Sequence, residues 1–448
     1  MPCRILKLDR EKQTLLAMLE ERRASGLPGN GGESVETGVK AILEDIRQNG
    51  LDALLKYSRK FDCATFTEEQ LRVSAEAVRE ASASVDPRDL DIIAEACGNI
   101  REFHEAQKEK SWFITRPGGF ILGQKVDPVA GAGLYVPGGR EGNTPLVSSL
   151  LMAAVPARVA GVGRIAVVTP PRKDGSVNPY ILAAAGLLGI TEIYACGGPW
   201  AVAALAFGAG PIKPVDVIAG PGNIWVATAK RLLIGQVGID MLAGPSEVAI
   251  WAAGSGGSGC GRGARPEFAA ADMLAQAEHD CLSSALCITD SEELARAVRE
   301  ELRKQLADLP RRDIAAESLR RFGAIVLVDR QREAVDLINS IAPEHLELMC
   351  GNPWEIMPQI TGAGAIFMDA HSPEALGDYY AGPNHVLPTM GTARFASALS
   401  VQTFCKRTSV ISAGRGLDQG SISAVARLAR LEKLEGHARS VEMRARAF

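Results

Sequence analysis

The sequence predicts an α/β protein: two α/β units with mostly parallel sheets, plus small N- and C-terminal helical extensions. Three observations carry this. From about residue 118, short β-branched runs flanked by Gly, Pro or polar turn residues alternate with Ala-rich helical stretches, the pattern of βαβ units. Apolar residues make up 46% and aromatics only 5%, with 46 glycines, a composition suited to layered α/β packing. The 448 residues leave room for roughly three domains at about 150 residues each.

Residues 1–30 are polar and end in Gly-Leu-Pro-Gly-Asn, read as a joint after an N-terminal extension. Val39, Ile42, Ile46, Leu51, Leu54 and Leu55 recur at helical spacing within 35–61, and further helices are expected over 67–83 and 87–110. Gly133–Pro137 reads as a strand end, followed by strands Arg164–Thr169, Ile193–Ala195 and Val215–Ala219. Helices are expected between and after them at 144–160, 178–188, 199–208 and 223–233. A second block has strands Ser246–Ala252, Ala285–Thr289, Ala324–Val328 and Ala365–Met368, with helices Phe268–His279, 291–307 and 331–341. From about 396 a strand-and-turn piece leads to an Arg/Glu/Ala-rich helix over 421–445. The expected organisation is an extension 1–30; an α/β domain from 31–129 and 241–395 carrying the chemistry; an α/β nucleotide-binding domain 130–240; and a C-terminal segment 396–448.

The formal net charge of −4 argues against nucleic acid or an anionic membrane as the main partner. No stretch approaches the ~20 apolar residues of a membrane span, and the N-terminus shows no apolar export run. Nine cysteines without a CxxC pair suggest reduced thiols, so the cytoplasm is the expected compartment.

Three glycine-rich segments bear on nucleotide binding. Gly254-Ser-Gly256-Gly-Ser-Gly259 matches GxGxxG after a strand, but the helix starts too late to present its N-terminus to a phosphate, so it reads as a surface loop. Gly220-Pro-Gly222-Asn223 follows a strand and opens a helix directly; it is either an anion-facing turn or a tight βα turn with an Asn cap. With Tyr135-Val-Pro-Gly-Gly139 it fits a nucleotide lying across strand ends in a Rossmann-like unit.

Four of six histidines fall in polar patches of the second half. Gln276 and His279, spaced i,i+3 on an expected helix, share one face; a solvated or hydrogen-bonded pair is the plainer reading. Asp378 lies near the end of a short helix capped by Ser372 and begun by Pro373, where the dipole disfavours a carboxylate unless a cation is near. Glu344-His345, after Ala-Pro, pairs two groups of different pKa suited to acid/base work, provided the backbone turns there. His437 sits in a charged terminal helix, and His104 and His371 lack comparable company. None of this has the spacing that alone establishes zinc.

Taken together, LYVPGG (134–139), AGPGN (219–223), AGPSE (243–247), AQAEHD (275–280), APEHLE (342–347), GDYYAGPNHVLPT (377–389), GTAR (391–394) and KRTS (406–409) resemble histidinol dehydrogenase over essentially the full chain. The resemblance implies zinc-dependent, NAD-linked four-electron oxidation of L-histidinol to L-histidine through L-histidinal. It implies one Zn2+ per subunit held by Gln276, His279, Asp378 and His437, and Glu344 and His345 as the acid/base pair. Ser246, His385 and Glu432 join Gln276, His279, His345, Asp378 and His437 as implied substrate contacts. Tyr135, Trp200 and Asn223 fall at NAD-contacting positions, and a homodimer with tail-contributed site residues is implied. The chain departs from the family pattern at Trp200, where Gln is frequent; at Met390, where Gly is common; and in a longer 254–265 loop. Two other readings are a relative acting on a different polar alcohol and a zinc hydrolase working without NAD.

Overall fold

Runs such as RIAVVT and SALCIT are apolar on both faces, which suits strands buried under helices on either side. A computed structural model describes residues 3–26, 33–117, 119–139, 142–254, 264–414 and 417–445. Its strands are β1 (Arg4–Lys7), β2 (Trp112–Arg116), β3 (Phe120–Pro128), β4 (Gly131–Tyr135), β5 (Arg164–Thr169), β6 (Glu192–Ala195) and β7 (Val217–Ala219). They continue as β8 (Gly238–Ile239), β9 (Glu247–Ala252), β10 (Ser284–Thr289), β11 (Ala324–Leu327), β12 (His345–Met349), β13 (Ala365–Met368) and β14 (Cys405–Ser412). The chain divides into two compact units, 1–107 with 129–404, and 108–128 with 405–448.

The first unit holds two parallel sheets. In the five-stranded sheet the order is β6-β5-β4-β7-β8. The chain steps outward from β4 to β6, then crosses back to β7, so strand order reverses between β4 and β7. In Rossmann-like sheets ligands sit at that reversal, outside the carboxyl ends of the strands. The helices Val147–Ala160 and Gly198–Phe207 around this sheet are almost wholly buried, as expected of helices that are apolar all round. The six-stranded sheet, β1-β11-β10-β9-β12-β13, repeats this order from β9 onward and adds β1 outside β11. Its two faces are covered by separate apolar clusters, one around Trp251, Phe322 and Leu346, the other around Met273, Val298 and Ile325.

Two elements differ from the sequence expectation here. Residues 4–7 are not outside the α/β core: Ile5 registers with Ile325 in a parallel pair, and Leu15, Met18 and Leu19 of the following helix pack into the cluster around Trp251. The segment after Pro343 is a strand throughout His345–Met349, lying between β9 and the edge strand β13. The proposed joint at 26–30 and the GxGxxG loop lie, apart from Gly26 and Gly254, outside the described residues.

The second unit is an antiparallel sheet, β14-β3-β2, and two helices, Gln419–Leu431 and Glu435–Ala445. One continuous helix over 421–445 was expected. Instead Lys433 adopts φ +61, and the Leu434 and Lys433 N–H groups return to Ala429 and Arg430 carbonyls at 2.8 and 3.0 Å. This is a Schellman stop built without glycine, and Arg430 ties the two helices together through Glu435 and Glu442 at 2.9 and 2.7 Å. Trp112, Phe113, Ile411, Leu428 and Leu431 of this unit expose apolar side chains.

Candidate active site

The acid/base pair is placed by the start of β12. The helix Gln331–Ile341 stops at Ala342, which takes φ +50, and Pro343 prevents its continuation. Glu344 and His345 then both line one cleft of about 230 Å³. Their supports come from a single residue of the neighbouring strand. The Glu247 N–H donates to Glu344 Oε2 at 3.0 Å, and the Glu247 carbonyl lies 3.2 Å from His345 Nδ1. A proton on Nδ1 suits that carbonyl, which leaves Nε2 free; Nε2 is buried without a hydrogen-bond partner and 3.7 Å from Asp378 Oδ1.

The helix Pro266–Ala277 carries Gln276 in its last turn and ends before His279. Both had been expected on one helical face. Asp280 accepts the Leu282 N–H at 2.8 Å, a local turn that competes with helical bonding. Gln276 is fully buried and neither amide atom finds a partner. The short helix Glu374–Tyr379 supplies Glu374 and Asp378 one turn apart. Pro373, not Ser372, stands at its N-cap, and Ser372 Oγ instead donates to the Met368 carbonyl at 2.9 Å. Ligand atoms of His279, Glu374 and Asp378 all lie within 4.8 Å of one another. His385 Nδ1 is 2.9 Å from the Asp378 carbonyl, and His385 and Ser246 line the same cleft.

Charge is concentrated here. Burial above all pushes Glu344 up to about 7 and Glu374 up to about 8. Burial works against an imidazolium at His345, but the carboxyls of Glu374, Glu344 and Asp378 outweigh it and raise the ring's pKa. Burial alone would lift Asp378, yet the close His345 ring, with His385 and His279 beyond, holds it below the usual range. Protein packed around the rings lowers both His279, which keeps exposed surface, and His385. His279 and the ionised Asp378 lie within ligand reach of each other, and the orphaned Gln276 amide is buried three residues before His279; nitrogen and oxygen donors of this kind suit zinc, and these residues fit such an ion.

Glu374 was not among the expected residues; its i,i+4 spacing to Asp378 was the available signal. Behind it Glu347, fully buried, accepts the Glu374 N–H at 3.0 Å and faces Asp272. Burial, then the charges of Asp272 and Glu374, raise Glu347 well above its ordinary value. A raised carboxyl contributes stability below its unfolded pKa and loses it as pH climbs. Glu347→Gln, whose amide can donate to Asp272, should therefore raise the melting temperature by roughly 2–4 °C at pH 8. The gain should shrink at pH 5, as calorimetry at the two pH values would show.

The opposite wall of the cleft comes from the reversal point of the five-stranded sheet, through Pro221 and Gly222. Gly220 has φ +121, and a Cβ there would meet the Tyr135 carbonyl at 2.1 Å, so only glycine lets the loops after β4 and β7 touch. Buried Lys230 donates to the Gly220 carbonyl at 2.9 Å and Asp240 accepts the Gly220 N–H at 2.8 Å, fixing the peptide groups on both sides of that residue. Asn223 Oδ1 caps the helix Ile224–Leu232, accepting the Trp225 and Val226 N–H groups. The Tyr135 hydroxyl accepts the Gly198 N–H at 3.2 Å, and Trp200 is buried against Phe61 and Tyr57. Among the described residues these three side chains do not line the cleft. Glu432 and His437 belong to the second unit. His104 is a buried histidine bonded to the Ile100 carbonyl, and His371 is exposed.

The comparisons with known proteins converge. A sequence profile described as histidinol dehydrogenase matches residues 28–445. Histidinol dehydrogenase of Oleidesulfovibrio alaskensis is 57% identical, over 99% of this chain and 100% of that one. The Bacillus subtilis histidinol dehydrogenase is 49% identical over 93% and 94%. The crystal structure of histidinol dehydrogenase from Elizabethkingia anophelis superposes with a TM-score of 0.86 at 36% identity, covering 93% of each chain. With the profile spanning nearly its whole length and relatives this similar end to end, the chain belongs to the histidinol dehydrogenase family.

Proposed function

We propose that Glu344 and His345 are the acid/base pair, and that Gln276, His279 and Asp378, completed by His437 from a second copy, hold one zinc ion per site. The enzyme oxidises histidinol to histidine, and its family uses NAD and zinc. One observation carries the residue assignment: His279 and the ionised Asp378 share a cleft with Glu344 and His345, and the buried amide of Gln276, three residues before His279, has no partner. Asp378 is the better ligand than Glu374, because its carboxyl is held ionised while burial keeps Glu374 protonated near neutral pH.

The bound zinc supplies positive charge that anchors the substrate and offsets the carboxylates around His345. With that field offset, His345 Nε2 would take the alcohol proton, and NAD when bound would accept the hydride. Glu344, raised to about 7, would then accept a proton from the water that adds to the aldehyde, and the hydrate would give its hydride to a second NAD as His345 takes its hydroxyl proton. Ser246 and His385 bound the substrate's space. The loops after β4 and β7 offer the place for NAD, with Tyr135 and Asn223 shaping those loops from within and Trp200 packed in the helix after β6.

The exposed apolar side chains of the second unit support a homodimer, in which Glu432 and His437 act in the partner's site. Subunits carrying Asp378→Asn and subunits carrying His437→Asn should each be inactive. Refolded as a mixture, they should recover about a quarter of native activity, since half the dimers are mixed and each has one intact site. No recovery would place His437 in its own chain's site.

No described helix is long and apolar enough to cross a membrane.

A further inference from the structure

We infer that Arg22, in the N-terminal helix, is a positioning residue for the acid/base pair. The inference rests on the reading of Glu344 and His345 given above. Arg22 is 1% exposed and lies 225 residues from its ion-pair partner, Glu247, itself 5% exposed. Its guanidinium pairs with Glu247 Oε2 and donates to the Pro245 carbonyl at 2.5 Å, the Ser246 carbonyl at 3.0 Å and the Leu282 carbonyl at 2.8 Å. Glu247 Oε1 accepts the Met390 N–H at 2.8 Å, where Met390 is held at φ +59.

The turn Pro245–Glu247 is thereby fixed from its buried side by one planar fork of donors. The other side of the same turn does the work of the site. Ser246 lines the cleft, the Glu247 N–H holds Glu344, and the Glu247 carbonyl holds His345. A shift of this turn moves both reacting side chains together. A buried ion pair is a weak source of net stability, since desolvation offsets most of its attraction. Three oriented hydrogen bonds to one turn, with a fourth to Leu282 anchoring the donor, in contrast, specify where its peptide groups point.

The test uses the zinc-loaded enzyme and three variants: Arg22→Lys, Arg22→Met, and Arg22→Met with Glu247→Gln. The last removes both charges and leaves no ion buried alone. In the Met variants kcat should fall about 10–100-fold, the range expected when a reacting group is displaced by about an ångström. Bound zinc per subunit and the KM values for histidinol and NAD should stay within about threefold of native, the pattern of a loss confined to the transition state. Arg22→Lys keeps the charge but not the fork, and should lie between native and Met. A folded Met variant with native kcat would overturn the inference. So would parallel loss of kcat, zinc and both KM values, which marks general loosening. Should the Met variants fail to fold, native kcat in Arg22→Lys would overturn it alone. Parallel assays of His345→Asn and Glu344→Gln separate the premises: if those retain turnover, the acid/base reading fails whatever Arg22 does.

Discussion

His345→Asn should lower kcat for histidinol oxidation by about 10²–10⁴-fold, the usual contribution of a positioned base. Asparagine can still donate toward the Glu247 carbonyl, so the strand start should keep its place while the free nitrogen at Nε2 is lost. KM for NAD and bound zinc should change little, because the cofactor loops and the metal donors are other residues. Steady-state kinetics with metal analysis would check this; a His345→Asn enzyme within tenfold of native would remove His345 as the base. Glu344→Gln should spare the first oxidation more than the second. With the aldehyde trapped, NADH formed per histidinol should then approach one rather than two.

Asp378→Asn should release the zinc and abolish turnover, whereas Glu374→Gln should retain the metal. The two carboxyls are one helical turn apart and both near His279, so geometry alone groups them. Their electrostatics separate them, with Asp378 held below the ordinary range and Glu374 raised to about 8. A neutral amide at 378 replaces an anionic ligand and removes the charge that compensates the dication. At 374 the amide replaces a group already protonated at neutral pH. Zinc content of the purified variants decides the matter: loss from Glu374→Gln with retention in Asp378→Asn would reverse the assignment.

Much of the scaffold was legible because buried parallel strands announce themselves. Arg164–Thr169 and Ala365–Met368 coincide with their expected bounds, and most helices shift by only a few residues. What escaped had weaker local signals. Strand β1 is four residues with a charge at each end, and its strand character comes from pairing with a segment more than three hundred residues away. Strand β12 hid inside APEHLE, where Pro and two charged residues mask the alternation. The stop at Lys433 uses a left-handed residue that is not glycine, so no punctuation marked it. In the site, the histidines and Asp378 drew notice through their neighbours. Arg22, Glu247 and Glu374 did not, since their meaning lies in contacts made across the sheet.

The two atoms that steady Glu344 and His345 are the amide nitrogen and carbonyl oxygen of residue 247. Every amino acid carries that oxygen, and all but proline carry the N–H. Scanning position 247 side chain by side chain therefore reports only on the anchor beneath the peptide, never on the peptide itself. Evolution meets the same blindness: drift there could alter the anchor's chemistry while the catalytic scaffold, written in backbone, leaves no trace in the alphabet of residues.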